Sequence, residues 1–246
     1  MSAIKRVVVG VDVGGSHIGF GLIDPVSRIP VCTPLQVKVE TLHAVPDFIS
    51  LLSNTIKELL RSNSVGLLGV GVGIPGQCVD GVLTSAANIL PGHKNIPIAS
   101  LLSTALLTPV VLINDADAYL AAEVLSAQFG DKHGRIKSAA MITLGTGVGF
   151  SLYLNGRLYE GSHGMLEGGH MIVCNDDGKL CGCGQKGCVE MYSSAKSTAL
   201  RYIASGDSRS NVTGAKGVFA AAAEGDVAAQ NALNEVGFLR IPLMVC

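Results

Sequence analysis

The chain has 246 residues, of which 48% are apolar and 15% charged, and its formal net charge is -1. That balance excludes a disordered chain, which needs low hydrophobicity and high net charge. It also excludes the broad basic surface of a nucleic-acid or anionic-membrane binder. The most apolar stretch, Val65 to Ile74, is too short to cross a bilayer and ends in Pro75-Gly76. Met1 to Gly10 carries Lys5 and Arg6 and is followed by Asp12, so no uncharged signal core forms and a cytoplasmic location is expected. The glycine content is high, 31 residues, which implies many tight turns and close backbone approaches.

In chain order, Val7 to Val13 is a β-branched run that ends in Gly14-Gly15. His17 to Asp24 and Pro30 to Glu40 are the next predicted strands. The period then changes: Val45, Phe48, Ile49, Leu52, Ile56, Leu59 and Leu60 share one helix face. Gly66 to Ile74 is a buried strand, Ile98 to Leu107 a helix, and Val110 to Ile113 a strand that delivers Asn114-Asp115 at its end. The first half thus runs βββαβαβ. A helix from about Ala118 to Phe129 opens the second half, and a charged stretch from Gly130 to Lys137 follows. Ser138 to Leu144 and Val148 to Leu154 are strands, and Asn155-Gly156 signals a hairpin. After a Gly- and Cys-rich segment from Gly161 to Cys188, helices are predicted over Val189 to Ala204, Gly214 to Ala223 and Val227 to Val236. Each half contains hairpin strands around a glycine turn, which suggests an α/β chain of two domains, 1–116 and 117–246.

Four motifs carry chemistry. Asp12-Val13-Gly14-Gly15-Ser16 places backbone N–H groups and a hydroxyl where an anion can approach, and Asp12 can hold the water shell of Mg²⁺. Gly145-Thr146-Gly147-Val148-Gly149 repeats the device after another apolar strand, and the pair suggests a nucleotide held from two sides. Strand residues follow each turn, so neither has the strand–turn–helix setting of a dinucleotide fingerprint. Cys181, Cys183 and Cys188 place three thiolates within eight residues, separated by glycines. That spacing suits one zinc ion, with His170 the nearest fourth ligand; a Cys₃His set is normally structural. Asp115 lies beyond the carboxyl end of a strand, where a carboxylate can take a proton from a hydroxyl. Asp117 is the expected N-cap of the following helix. Of the four other thiols, Cys32, Cys78 and Cys174 are expected to be core or bystander groups.

At these residues the sequence resembles the ROK family of sugar kinases and repressors. The resemblance rests on Asp12-Val-Gly-Gly-Ser16, on Ile142 to Gly149 with Asn155-Gly156, Gly161 and Glu167-Gly-Gly-His170, and on Cys181-Gly-Cys183-Gly with Gly187-Cys188-Val-Glu190. It implies an actin-like ATPase fold: two ribonuclease H-like α/β domains, the N-terminal one smaller, with a cleft between them. It implies an ATP-dependent kinase for the 6-hydroxyl of a hexose, most like a glucokinase, with N-acylmannosamine or N-acetylglucosamine as alternative substrates. Asp115 matches the catalytic base, and Asn88, Asn114, Glu167, His170 and Glu190 match the residues that hold the sugar. Asp12, Gly14, Gly15, Ser16, His17, Gly145, Thr146 and Gly147 match the phosphate side. His170, Cys181, Cys183 and Cys188 match a structural zinc site, and Mg²⁺ accompanies ATP.

Two departures shape the expectations. His17 stands where the family usually has Lys, and a neutral imidazole neutralises phosphate less well. The tail from Gly237 to Cys246 has no helical period and holds Pro242, so it reads as a truncation that removes the adenosine-binding segment. A catalytically weak sugar-binding protein is therefore a further alternative. Exposed apolar surface left by the missing helices points to marginal stability or to association as a homodimer. The family's repressors carry a winged helix-turn-helix ahead of the first phosphate motif, and with that motif at Asp12 none is expected; nor is a nucleic-acid or membrane partner.

Overall fold

In a computed structural model, the described residues are 4–39, 44–85, 89–126, 136–161, 166–174, 177–206 and 212–238. Strand alternation builds the first core. On β1 (Arg6–Val13), Val7, Val9, Val11 and Val13 point inward. On β2 (His17–Ile23) Ile18, Phe20 and Leu22 do the same. Helix α1 (Val45–Ser62) covers them. Its Phe48, Leu52 and Ile56 lie at i, i+4 and i+8 and are all 0% exposed. Burial of each such side chain contributes about 1.5–3 kcal/mol.

β1 and β2 form an antiparallel hairpin. β4 (Gly66–Ile74) and β8 (Val110–Asn114) join β1 in parallel, and β3 (Leu35–Lys38) closes the other edge, giving the order β3-β2-β1-β4-β8. β3 is shorter than the predicted run from Pro30. Pro30 makes only an isolated bridge to Ile23, and Pro30 and Pro34 have no N–H to give a ladder. Glu40 lies outside the described residues. The parallel register aligns Asp12 with Gly73 and Gly73 with Ile113, so the ends of β1, β4 and β8 share one side of the sheet.

The sequence analysis assigns no strand between Pro75 and Ile98, yet three form there. β5 (Gln77–Val79), β6 (Val82–Ser85) and β7 (Lys94–Ile96) make a small antiparallel sheet. The turn joining β5 to β6 is Asp80-Gly81, both at positive φ, 48° and 79°. Asp-Gly is a strong two-residue hairpin signal. Helix α2 (Ile98–Leu106) follows, packed through Ile98 and Leu102. Helix α3 (Asp115–Leu125) begins earlier than predicted, because its cap is Asn114 and not Asp117. The predicted end of that helix, at Phe129, lies outside the described residues.

Two compact units divide the chain: Met1–Ala139 with Tyr153–Met165, and Ala140–Leu152 with Leu166–Cys246. α3, which the sequence analysis places at the head of a second domain, packs on β4 and β8 in the first unit. β9 (Ser138–Leu144), β10 (Val148–Leu154) and β11 (Arg157–Leu158) form a sheet in the order β11-β10-β9. Asn155 and Gly156, at φ 53° and 84°, turn β10 into β11 as the dipeptide predicts.

The predicted helix from Val189 to Ala204 is two helices, α4 (Glu190–Ser193) and α5 (Ala195–Ala204). Ser194 is extended between them, and its side chain accepts from Ser197 N–H, capping α5. α6 (Gly214–Ala223) and α7 (Val227–Phe238) pack with α5 around Tyr202, Val218, Ala221, Ala229 and Ala232. The buried Tyr202 hydroxyl donates to Asp226, 2.8 Å away. Among the described residues, no helix is long and apolar enough to cross a membrane.

Candidate functional site

In the first unit, the turn after β1 is closed by Gly14 N–H donating to the His17 carbonyl at 2.9 Å. Gly15, Ser16 and His17 are exposed at its tip. The Ser16 hydroxyl lies 3.0 Å from His17 Nδ1, and Val39 N–H donates to the Ser16 carbonyl, tying the turn to β3. The imidazole thus meets the serine hydroxyl directly.

The end of β8 supplies the second group of residues. Asn114 is held at both ends of its amide: its Oδ1 accepts from Ala116 and Asp117 N–H, and its Nδ2 donates to the Gly76 carbonyl at 3.1 Å. Asp115 is the first residue of α3 and is half-buried. Burial, and secondarily the negative charge of Asp12, push its carboxyl above the usual carboxylate range. Tyr119, one helical turn on, donates from its hydroxyl to Asp12 Oδ2 at 3.0 Å. The sequence analysis missed Tyr119, although its i, i+4 spacing from Asp115 puts both on one face. Asn88 lies outside the described residues. Burial also raises the Cys78 thiol to about 12, in keeping with an inert core group.

In the second unit, the glycine turn joins β9 to β10. Gly145 and Thr146 are exposed, and Gly145 N–H donates to the Gly147 carbonyl at 3.0 Å. Val148 N–H donates to Glu190 Oε2 at 3.0 Å, and Ala195 N–H to the Gly145 carbonyl at 2.8 Å. A Cβ on Gly147 would collide with the Glu190 carboxylate.

Short backbone pairings gather the cysteines. Cys188 bridges Ile172, and Leu180 bridges Lys186. Gly187 sits at φ 82°, and any side chain there would strike the Cys174 carbonyl, so this position needs glycine. The result brings together the four residues singled out by spacing. The ligand atoms of His170, Cys181, Cys183 and Cys188 all lie within 4.8 Å of one another. Cys183 and Cys188 sulfurs are 3.6 Å apart, as are His170 Nδ1 and Cys181 Sγ. Ligand-to-ligand edges in a tetrahedral thiolate site are about 3.5–3.8 Å, so the donor set fits a tetrahedral divalent metal. The other imidazole nitrogen, Nε2, lies 3.7 Å from Glu167 Oε2. His170 therefore has one face on the thiols and the other on a carboxylate. Glu190 Oε1 is 4.0 Å from Cys181 Sγ, which places it beside the same cluster.

Comparison with known proteins follows these features. A glucokinase from Halalkalibacterium halodurans is 30% identical over 254 residues, covering 95% of this chain and 73% of that protein. An N-acetyl-D-glucosamine kinase from Salmonella heidelberg is 34% identical over 207 residues, covering 78% of this chain and 64% of that protein. The chain is therefore shorter than the relatives it matches. The crystal structure of a ROK family glucokinase from Streptomyces griseus, in complex with glucose and AMPPNP, matches with a TM-score of 0.73 and 28% identity, over 95% of this chain and 76% of that one. The fold is thus the actin-like ATPase fold, built of mixed α/β units. The sequence model of the ROK family matches residues 8–240, from within β1 to beyond α7, and on that ground the chain belongs to the ROK family.

Proposed function

We propose that the chain binds a hexose and Mg·ATP and transfers the γ-phosphoryl group to the sugar 6-hydroxyl, with glucose the favoured sugar. The observation that carries this reading is Asp115. It stands beyond the carboxyl ends of the parallel strands, and burial makes it a better proton acceptor than an ordinary carboxylate. The sugar oxygen attacks the γ-phosphorus, the bond from phosphorus to the ADP oxygen breaks, and the hydroxyl proton passes to Asp115. Positioning and charge neutralisation supply most of the rate in such transfers. The exposed glycine turns at Gly14-Gly15 and Gly145-Thr146-Gly147 are assigned to the phosphates. Asn88, Glu167, His170 and Glu190 are assigned to the sugar. Asn114 is assigned to holding the Asp115 backbone, since its amide is committed to Gly76 and to the helix cap.

The cluster of His170, Cys181, Cys183 and Cys188 is assigned to structural zinc. When bound, zinc supplies a fixed point for the loop and for the imidazole ring, and leaves Nε2 aimed toward Glu167. Mg²⁺ enters with the nucleotide, near Asp12. A second reading, an N-acetylglucosamine kinase, is favoured by the 34% identity to the Salmonella protein.

The test is coupled ADP release with glucose, N-acetylglucosamine and N-acetylmannosamine, with Asp115→Asn as control. Turnover highest with glucose supports the first reading, and turnover highest with an N-acyl sugar supports the second. Sugar binding without ADP release from any sugar overturns the kinase reading in favour of a binding protein.

A further inference from the structure

We infer that Glu190 is a positioning residue for the Gly145 to Gly149 turn, and so links the sugar side of the second unit to its phosphate side. The inference rests on the reading that this turn takes phosphate. A turn with three glycines in five residues has a large conformational entropy to lose on ordering. It presents phosphate-binding N–H groups in one arrangement only if something outside it fixes the backbone.

Two tethers reach it from the same stretch of chain. Glu190 Oε2 accepts from Val148 N–H at 3.0 Å, and the Ala195 N–H donates to the Gly145 carbonyl at 2.8 Å. The Glu190 bond has a carboxylate acceptor and a buried Val148, so it is the stronger of the two. Packing points the same way. The Glu190 carboxylate sits so close over Gly147 that a Cβ there would displace it. Val148 N–H is thereby spent on Glu190 and is not one of the phosphate donors.

The carboxylate also faces the other way. Its Oε1 lies 4.0 Å from Cys181 Sγ, beside the cluster that holds His170. A sugar hydroxyl that draws on Glu190 acts, through one carboxylate, on the backbone of the phosphate turn.

The experiment uses the full chain, three single variants, Glu190→Gln, Glu190→Ala and Gly147→Ala, and one double variant. AMPPNP binding is measured by calorimetry without sugar. Gln keeps an acceptor oxygen for Val148 N–H, so its affinity stays within about twofold of wild type, whereas Ala loses on the order of tenfold, the usual effect of deleting a charged hydrogen-bond partner. Gly147→Ala forces the carboxylate off Val148 from the opposite side and loses a similar factor. The double variant Gly147→Ala/Glu190→Ala is no worse than either single, because both remove one contact. Equal affinity in wild type and Glu190→Ala, or losses that multiply to about a hundredfold in the double variant, overturns the inference.

Amide exchange gives a readout that does not depend on nucleotide. Val148 N–H exchanges at least about tenfold faster in Glu190→Ala than in wild type or Glu190→Gln. Unchanged exchange overturns the inference. If wild type fails to bind AMPPNP, the phosphate reading is the one that fails, and the exchange result still decides whether Glu190 orders the turn.

Discussion

The Tyr119 hydroxyl and the Asp12 carboxylate are joined by a 3.0 Å hydrogen bond across 107 residues of sequence, and it fastens α3 to the end of β1. Asp12 and Asp115 repel, so a donor that holds Asp12 in one rotamer also sets the field at Asp115. Tyr119→Phe is therefore expected to raise the Mg²⁺ concentration needed for half-maximal turnover several-fold while sugar affinity is unchanged. Burial, and then the Asp12 carboxylate, raise the Tyr119 phenol above its ordinary value of 10.0. Ultraviolet pH titration should show one high-pH tyrosine lost in Tyr119→Phe, and that tyrosine titrating lower in Asp12→Asn. An unaltered Mg²⁺ requirement would remove Tyr119 from the site.

Asp115→Asn keeps the bond from Ala116 N–H to its side-chain oxygen but cannot accept a proton. Turnover should fall by about a hundredfold or more, with sugar binding retained in calorimetry. The acid limb of kcat/KM in wild type should lie above 3.8, the ordinary value of an aspartate carboxyl, because the carboxyl is raised. In Asp12→Asn the limb should move down only part of the way, since burial is the larger cause.

The same shift fixes the sign of a stability effect. A carboxyl raised in the folded state favours folding when protonated, and that contribution is lost as pH rises through its folded value. Asp115→Asn should therefore melt higher than wild type at neutral pH. The difference should vanish at pH values below 3.8, the ordinary value of the carboxyl. A melting point below that of wild type at neutral pH would contradict the burial argument.

Protein purified without chelator should hold about one zinc per chain by elemental analysis, and Cys183→Ser should lose it. Because His170 faces the thiols with Nδ1 and Glu167 with Nε2, loss of the metal should also weaken sugar binding. Metal-free protein with unimpaired sugar affinity would separate the two roles.

Leu52→Ala removes a fully buried side chain from the centre of α1. The unfolding free energy from urea titration should drop by about 2–5 kcal/mol with the slope unchanged. A loss well under 1 kcal/mol would mean that the core closes around the gap.

The glycine turns, the gathering of the cysteines and the place of Asp115 at a strand end were legible because each follows from residue type and local spacing. The helix break at Ser194 was not, since apolar periodicity runs through it and only a side-chain cap marks the stop. Asn114 and Asp117 are both good capping residues by type, and the choice between them depends on where β8 ends. The Asp80-Gly81 hairpin carried a clear local signal, but the strands around it are only three and four residues long, too short to show alternation. The Glu190 contact to Val148 joins residues 42 apart, and no local pattern encodes it.

The parallel pairing of β1 with β4 has a consequence for synthesis. The β1–β2 hairpin needs only its own turn, so it can form as soon as both strands leave the ribosome. The other side of β1 has no partner until α1 and β4 have been made, and β4 in turn waits for β8. During that interval the nascent chain carries an open strand edge rich in valine, the kind of template that recruits another chain. That edge stays open until the ribosome has passed from Val13 to Ile74.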